Sequence, residues 1–147
     1  QGTGPGITGG MMFPALMRDD LLSLPSRAIA DTLFRRAGLQ PDDVDVAQLY
    51  DCFTITLLLQ LEDYGFCKPG EAGPYVESGA LGLAGALPVN TAGGHLSEGY
   101  IHGMNHVLEG VRQIRGTSTS QVPGASVSLV TSAPPPGGSA LLLVGAS

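Results

Sequence analysis

Residues 96–115 place Ile101, Met104, Leu108, Val111 and Ile114 three and four positions apart, the spacing of one face of an α-helix, and Gly116 follows as a stop. A chain with this segment must supply a surface for the helix to lie on. The candidates are two apolar runs downstream, SVSLVTS and SALLLVG, joined by the turn APPPGG and read as a terminal hairpin of strands. Upstream, SRAIADTLFRRAGL carries Ile29, Ala30, Leu33, Phe34 and Ala37 on one helical face, with Pro25 near its start and Gly38 as C-cap. QPDD turns the chain into VDVAQLY, a buried strand expected over residues 44–50, and Asp51 is placed to cap a following helix, TITLLLQLEDYG. That helix is apolar nearly all round, so it is expected to be buried on most sides or to face a subunit. Residues 67–87 are glycine-rich and read as an irregular loop over a site or against a partner. The order of elements predicts an α/β fold, a mixed sheet covered by helices.

Length and composition bound the function. The 147 residues fit one domain over 1–147, and a net charge of −6 without a Lys or Arg cluster argues against nucleic acid, whose binding is largely cationic neutralisation. Hydrophobic residues make up 43% and charged ones 14%, with 22 glycines, so much of the surface is expected to be buried against something else. Two cysteines do not form a disulfide framework, which points to a reducing, cytoplasmic setting. No apolar run is long enough for a membrane span. The chain opens at Gln1 inside a glycine-rich phrase, QGTGPGITGGMMFPALM, read as a loop and as the start of a fragment of a longer polypeptide.

Four features could carry chemistry. His102 and His106 are spaced like zinc ligands on one helix, but the metalloprotease glutamate is missing between them, and ordinary helix histidines are the plainer reading; no metal site is expected. Cys52, at a strand end near a helix start, is a candidate nucleophile, weighed against a small residue packed under the site; Cys67 has no such setting. GPGITGG lacks the Lys-Ser/Thr ending of a phosphate loop. Tyr50 closes a strand and Tyr100 opens a helix, the positions that converge on clefts in α/β folds. Two packed aromatic residues with satisfied hydroxyls are the alternative.

These residues resemble the C-terminal half of the thiolase superfamily. Where a thiolase strand ends in Asn-Glu-Ala-Phe, this chain has Tyr50-Asp51-Cys52-Phe53. Where thiolases carry Asn-x-x-Gly-Gly, four residues and Gly-His, this chain has Asn90-Thr91-Ala92-Gly93-Gly94, four residues and Gly99-Tyr100. The third motif, a cysteine before a glycine-rich turn, lines up with Ser132 and the six residues after it, and the cysteine is missing. The wording of residues 90–116 is similar to the branch that includes lipid-transfer proteins and sterol carrier protein X. The tyrosine pair resembles the bacterial steroid side-chain aldolases within it.

The resemblance implies the C-terminal half of a layered αβαβα thiolase-like architecture and a retro-aldolase. Such an enzyme would cleave a β-hydroxyacyl-CoA steroid side chain to a 17-ketosteroid and propionyl-CoA. Thiolysis needs a thiolate to carry the acyl group, whereas a retro-aldol step needs only two proton-transfer groups and an oxyanion site. Tyr50 and Tyr100 are the candidates for base and acid. The N–H groups of Gly93 and Gly94, at the expected helix start, are candidates to hold the thioester oxygen, with Asp51, His95 and Glu98 supporting them. No cofactor is implied beyond the CoA thioester substrate. The implied partners are an N-terminal thiolase half, a second copy in a homodimer, and the OB-fold domain of a MaoC-like hydratase subunit. The apolar helix at residues 54–61 and the 67–87 region are the expected contact surfaces. Two alternatives stand beside this reading: a sterol-carrier-type thiolase or acyltransferase, which needs a nucleophilic cysteine upstream, and a non-catalytic thiolase-like lipid-binding subunit.

Overall fold

The structure, a computed structural model, describes residues 2–3, 25–99, 101–132 and 138–145. Helix α1 (Ser26–Ala37) starts after Pro25 and ends at Gly38, whose φ of 68° is the left-handed conformation a glycine adopts at a helix end, with its N–H returned to the Phe34 carbonyl. Ile29, Ala30, Leu33 and Phe34 are buried, as the 3.6-residue pattern requires. Each large apolar side chain so buried contributes about 1.5–3 kcal/mol of transfer free energy. A short 3₁₀ turn (Pro41–Asp43) then delivers the chain to the sheet, stapled where the Gln40 N–H donates to the Asp43 carboxylate at 2.7 Å.

Strand β2 (Val46–Gln48) is only three residues long, shorter than the expected 44–50, although Val44 and residues 46–50 are buried. The hydrogen bonds of Leu49 and Tyr50 are made with side chains instead of a neighbouring strand, so the ladder stops while the burial continues. Helix α2 (Thr54–Asp63) begins after Phe53, not after Asp51. Its buried face holds Thr56, Gln60, Leu61 and Asp63, while Ile55 is exposed, so it is not apolar-buried all round. Asp63 leaves water by accepting from Ser26 Oγ at 2.5 Å and pairing with Arg27 at 3.3 Å. The region 67–87 is not wholly irregular: it holds a short helix α3 (Ala72–Glu77), which starts where the Ala72 N–H donates to the Glu62 carboxylate at 3.2 Å.

The helix expected over 96–115 is two helices. A single turn, α4 (Gly94–Ser97), is separated from α5 (Met104–Arg115) by a break in which His102 (φ 54°) and Gly103 (φ 90°) take left-handed conformations. The expected buried stripe is not the inner face, only Val111 and Ile114 of it being half-buried. Ile101, Met104 and Leu108 are exposed, and the residues of α5 that are buried are Asn105, His106, Glu109, Gly110 and Gln113. Gly110 explains how a polar face can be the inner one. A Cβ there would lie 2.7 Å from the Val130 side chain, so the helix rests directly on the sheet and its flanking polar groups reach partners on neighbouring strands and turns.

Strands β3 (Val127–Ser132) and β4 (Ser139–Val144) form the expected antiparallel pair, from Val127 opposite Val144 to Ser132 opposite Ser139. β2 pairs with β3 in parallel, and β1 (Gly2–Thr3), in the stretch read as loop, pairs antiparallel with β4. The sheet order is β1-β4-β3-β2, a mixed sheet as expected. Ala47, Leu49, Val127, Leu129 and Ala140 pack with α1 and α2 on one face, whereas Ser128 and Val130 meet α5 on the other. Tyr100, the GPGITGG phrase and residues 133–137 of the hairpin turn lie outside the described residues. Among the described residues no helix is long and apolar enough to cross a membrane.

Candidate active site

Tyr50 is fixed through its backbone from two directions. Its N–H donates to Thr131 Oγ1 on β3 at 2.9 Å, and its carbonyl accepts from Gln60 Nε2 on α2 at 2.7 Å. Thr131 in turn donates to Gln60 Oε1 at 2.5 Å, closing a buried ring of polar contacts. One residue earlier, the Asn90 side chain imitates a strand: Oδ1 accepts the Leu49 N–H at 2.8 Å and Nδ2 donates to the Leu49 carbonyl at 3.0 Å. Asn90 itself sits at φ 51°, a left-handed conformation that Asn tolerates better than most residues. The asparagine that opens the glycine turn is therefore what carries the sheet on to Tyr50, which is 4% exposed.

Asp51 turns toward that glycine turn. Its carboxylate accepts the backbone N–H of His95, with both oxygens at 3.2 Å, and its Oδ1 lies 3.1 Å from His106 Nε2. A carboxylate only accepts, so the His106 Nε2 carries the hydrogen. This use of Asp51 is why it does not cap α2. Gly94 (φ 65°) makes room: a Cβ on it would fall 2.1 Å from Asp51 Oδ2. The His95 ring stands edge-on to Tyr50 and to His106, with centroids 4.6 Å apart in both cases, while Tyr50 and His106 are 6.3 Å apart. His95 is thus the middle of three rings. Burial holds His106 below the ordinary histidine range, the nearby Asp51 carboxylate pulling the other way.

Other expected site residues fall as follows. The Gly93 N–H donates to the Asn90 carbonyl at 2.7 Å and so serves the turn itself. The helix that follows is one turn long, too short to bring the dipole expected of a long one. Glu98 accepts from Asn105 Nδ2 at 3.0 Å, clamping the ends of the segment that contains position 100. His102 is exposed and outside α5, so it does not pair with His106 on one helix. Cys52 is half-buried, its thiol 4.0 Å from Thr56 Oγ1. Cys67 lies away from the cluster, its thiol pushed up by burial and by Glu62 and Glu71.

Sequence reading set His106 aside as an ordinary histidine. Its signal would have been the phase of α5, but the apolar stripe pointed to the opposite face. Asp51, His95 and His106 each offer a ligand atom within 4.8 Å of the others, a geometry that could admit an ion; the 3.1 Å hydrogen bond already joins two of them without one.

A second buried network holds the turn from behind. Thr91 Oγ1 accepts from Gln48 and Gln113 at 3.0 and 2.9 Å and donates to Glu109 Oε1 at 2.6 Å. Glu109 also accepts from Gln113 and Ser118, so this 2%-exposed carboxylate is satisfied by three neutral donors. The turn 90–94 is therefore anchored to β2, to α5 and to the loop after α5.

The chain is similar to known proteins. The model of the thiolase C-terminal domain-like family matches residues 14–144. The chain is 50% identical over 115 residues to a 17-hydroxy-3-oxo-4-pregnene-20-carboxyl-CoA lyase of Mycobacterium tuberculosis, an alignment covering 78% of this chain and 30% of the relative. It is 43% identical over 121 residues to a steroid side-chain-cleaving aldolase of Thermomonospora curvata, covering 82% and 31%. A rabbit sterol carrier protein 2 is 36% identical over 108 residues, covering 71% and 20%. Among solved structures, an Ltp2-ChsH2(DUF35) aldolase superposes with a TM-score of 0.88 at 38% identity, over 99% of this chain and 38% of that one. The chain spans about three-tenths of the length of the first two relatives. On the strength of its fold, its motifs and these likenesses, the chain belongs to the thiolase C-terminal domain-like family.

Proposed function

We propose that this chain is the C-terminal half of a thiolase-fold retro-aldolase that cleaves a steroid side-chain β-hydroxyacyl-CoA to a ketone and a short acyl-CoA. For a 17-hydroxylated three-carbon side chain these products are a 17-ketosteroid and propionyl-CoA. One observation carries the reading: where thiolases keep an asparagine, a tyrosine is locked by Thr131 and Gln60 beside the Asn90–Gly94 turn, in a chain 50% identical to a steroid acyl-CoA lyase. The sequence holds only Cys52 and Cys67, and neither stands at the thiolase cysteine position near Ser132. Acyl transfer through this half is thereby disfavoured.

In the proposed reaction one phenol removes the proton of the β-hydroxyl, the carbon–carbon bond breaks to give the ketone, and the other phenol protonates the enolate of the departing acyl-CoA. Tyr50 and Tyr100 share these roles. The Gly94 amide is kept as the contact for the thioester oxygen, since Gly93 donates within the turn. Positioned proton transfer is worth about 10²–10⁴-fold. Replacing either tyrosine by Phe in the full-length protein is expected to cost a rate factor in that range, and undiminished turnover by either variant would remove that residue from the mechanism.

The partners follow the same reading. The outward stripe of Ile101, Met104 and Leu108 on and before α5, with Phe53 and Ile55 near the start of α2, is the surface an N-terminal thiolase half would cover. A homodimer and the OB-fold domain of a hydratase subunit complete the proposed assembly; a heteromeric partner is in keeping with the likeness to an Ltp2-ChsH2(DUF35) aldolase. The setting proposed is cytoplasmic, with no cofactor besides the CoA thioester.

A further inference from the structure

We propose that His106 is a positioning residue: hydrogen-bonded to Asp51, it holds the His95 imidazole against Tyr50 and so fixes the proton-transfer geometry of that phenol. The proposal rests on the retro-aldolase reading for what Tyr50 does, but the arrangement itself is read from contacts. His106 is 1% exposed in the first turn of α5, and its ring is the far end of the row His106, His95, Tyr50, with 4.6 Å between successive centroids. Asp51 binds two members of that row at once, the His106 Nε2–H at 3.1 Å and the His95 backbone N–H at 3.2 Å.

The backbone is shaped around this carboxylate. Gly94 is the residue whose Cβ would collide with Asp51, and Gly103, in a left-handed conformation at φ 90°, starts α5 beside the Tyr50 ring. Burying a histidine and a carboxylate together is costly unless they satisfy each other. A packing role for position 106 alone would be met by an apolar side chain. What an apolar residue could not do is donate to Asp51. Loss of that donor frees the carboxylate to swing, and with it the His95 ring that backs Tyr50. The charged and titratable groups facing His106 are Asp51, His95, Glu98 and the Tyr50 ring.

The test uses the full-length protein with its partner subunit and a steroid β-hydroxyacyl-CoA. His106→Leu removes the donor and His106→Gln retains an N–H at similar reach. A displacement of about 1 Å at a reacting group can cost on the order of 10²-fold, so the Leu variant is expected to lose up to about 100-fold in kcat with KM near wild type, and the Gln variant to recover most of it. Equal loss in both variants, or none in either, overturns the proposal. Should the wild-type protein fail to cleave the thioester, the functional reading falls, and nitrogen-15 histidine NMR of the full chain still decides the pair. The expected spectrum shows neutral His106 with its hydrogen on Nε2, assigned by its disappearance in His106→Gln. A hydrogen on Nδ1 alone overturns the Asp51–His106 pair, whereas a hydrogen on Nε2, in a neutral or a charged ring, upholds it.

Discussion

Thr131→Val isolates the lock on Tyr50. Valine has nearly the volume of threonine, so the substitution opens no cavity and removes only the hydroxyl. That hydroxyl is engaged twice, accepting the Tyr50 N–H at 2.9 Å and donating to Gln60 Oε1 at 2.5 Å. Both partners lie at buried positions, Tyr50 at 4% and Gln60 at 5% exposure, so water does not readily replace the lost contacts. A buried polar group left without a partner costs about 1–3 kcal/mol, and two of them give about 2–6 kcal/mol, less whatever Gln60 regains by rotating its amide. The matched control is Thr131→Ser, which keeps the hydroxyl and loses one methyl, worth about 1 kcal/mol. Urea unfolding of the full-length protein, followed through the tyrosine signal, compares the two. The Val variant is expected to be the less stable by at least about 1 kcal/mol and to lose activity more than the Ser variant. A Val variant as stable as the Ser variant would refute the claim that hydrogen bonds through Thr131, and not shape, fix Tyr50.

Gly94→Ala forces a left-handed residue to carry a side chain and drives Asp51 from its place, since the Cβ would fall 2.1 Å from Oδ2. The left-handed backbone alone costs roughly 1–2 kcal/mol, so a lowered urea midpoint is expected, with loss of turnover beyond what stability explains; an unaffected enzyme would show that the turn can yield. His106 is held below its ordinary value by burial, against the pull of Asp51, so the unfolded chain takes up its proton first. Stability is then fully present above about pH 6.5 and is lost as the pH falls through the folded value; urea midpoints measured against pH should show this slope in the wild type and less of it in His106→Gln. Leu108→Lys, on the outward face of α5, should leave this domain's own packing intact yet impair assembly of the full-length protein. A normal sedimentation profile for that variant would show that the stripe faces water.

Where local chemistry decides the conformation, the sequence was legible. The 3.6-residue pattern and Gly38 gave α1 its bounds, and period and turn composition gave the hairpin of β3 and β4. Motif spacing brought Tyr50, Asp51 and the glycine turn to one place. The failures have a common cause in tertiary partners. β2 ends early because Asn90 and Thr131 supply the next hydrogen bonds, and no local rule announces a side chain acting as a strand. α2 starts late because Asp51 is bound by His95 and His106. The apolar stripe 101–114 marks an amphipathic segment, but its Ile101, Met104 and Leu108 face outward and the polar side of α5 faces in. Its polar face is satisfied by Thr91, Ser118 and the Val122 N–H, residues on either side of α5 in the chain whose spatial proximity a periodicity does not encode. His106 was missed for the same reason.

The central claim is a carbon–carbon cleavage that proceeds without an acyl-enzyme. Its most direct measurement incubates the full-length protein and its partner subunit with a 17-hydroxy steroid bearing the three-carbon CoA thioester side chain, and quantifies products over time. The account predicts 17-ketosteroid and propionyl-CoA in equal amounts, without free CoA being consumed, and loss of both in Tyr50→Phe. Cleavage that requires added CoA, or a burst of covalently bound acyl group, would contradict it.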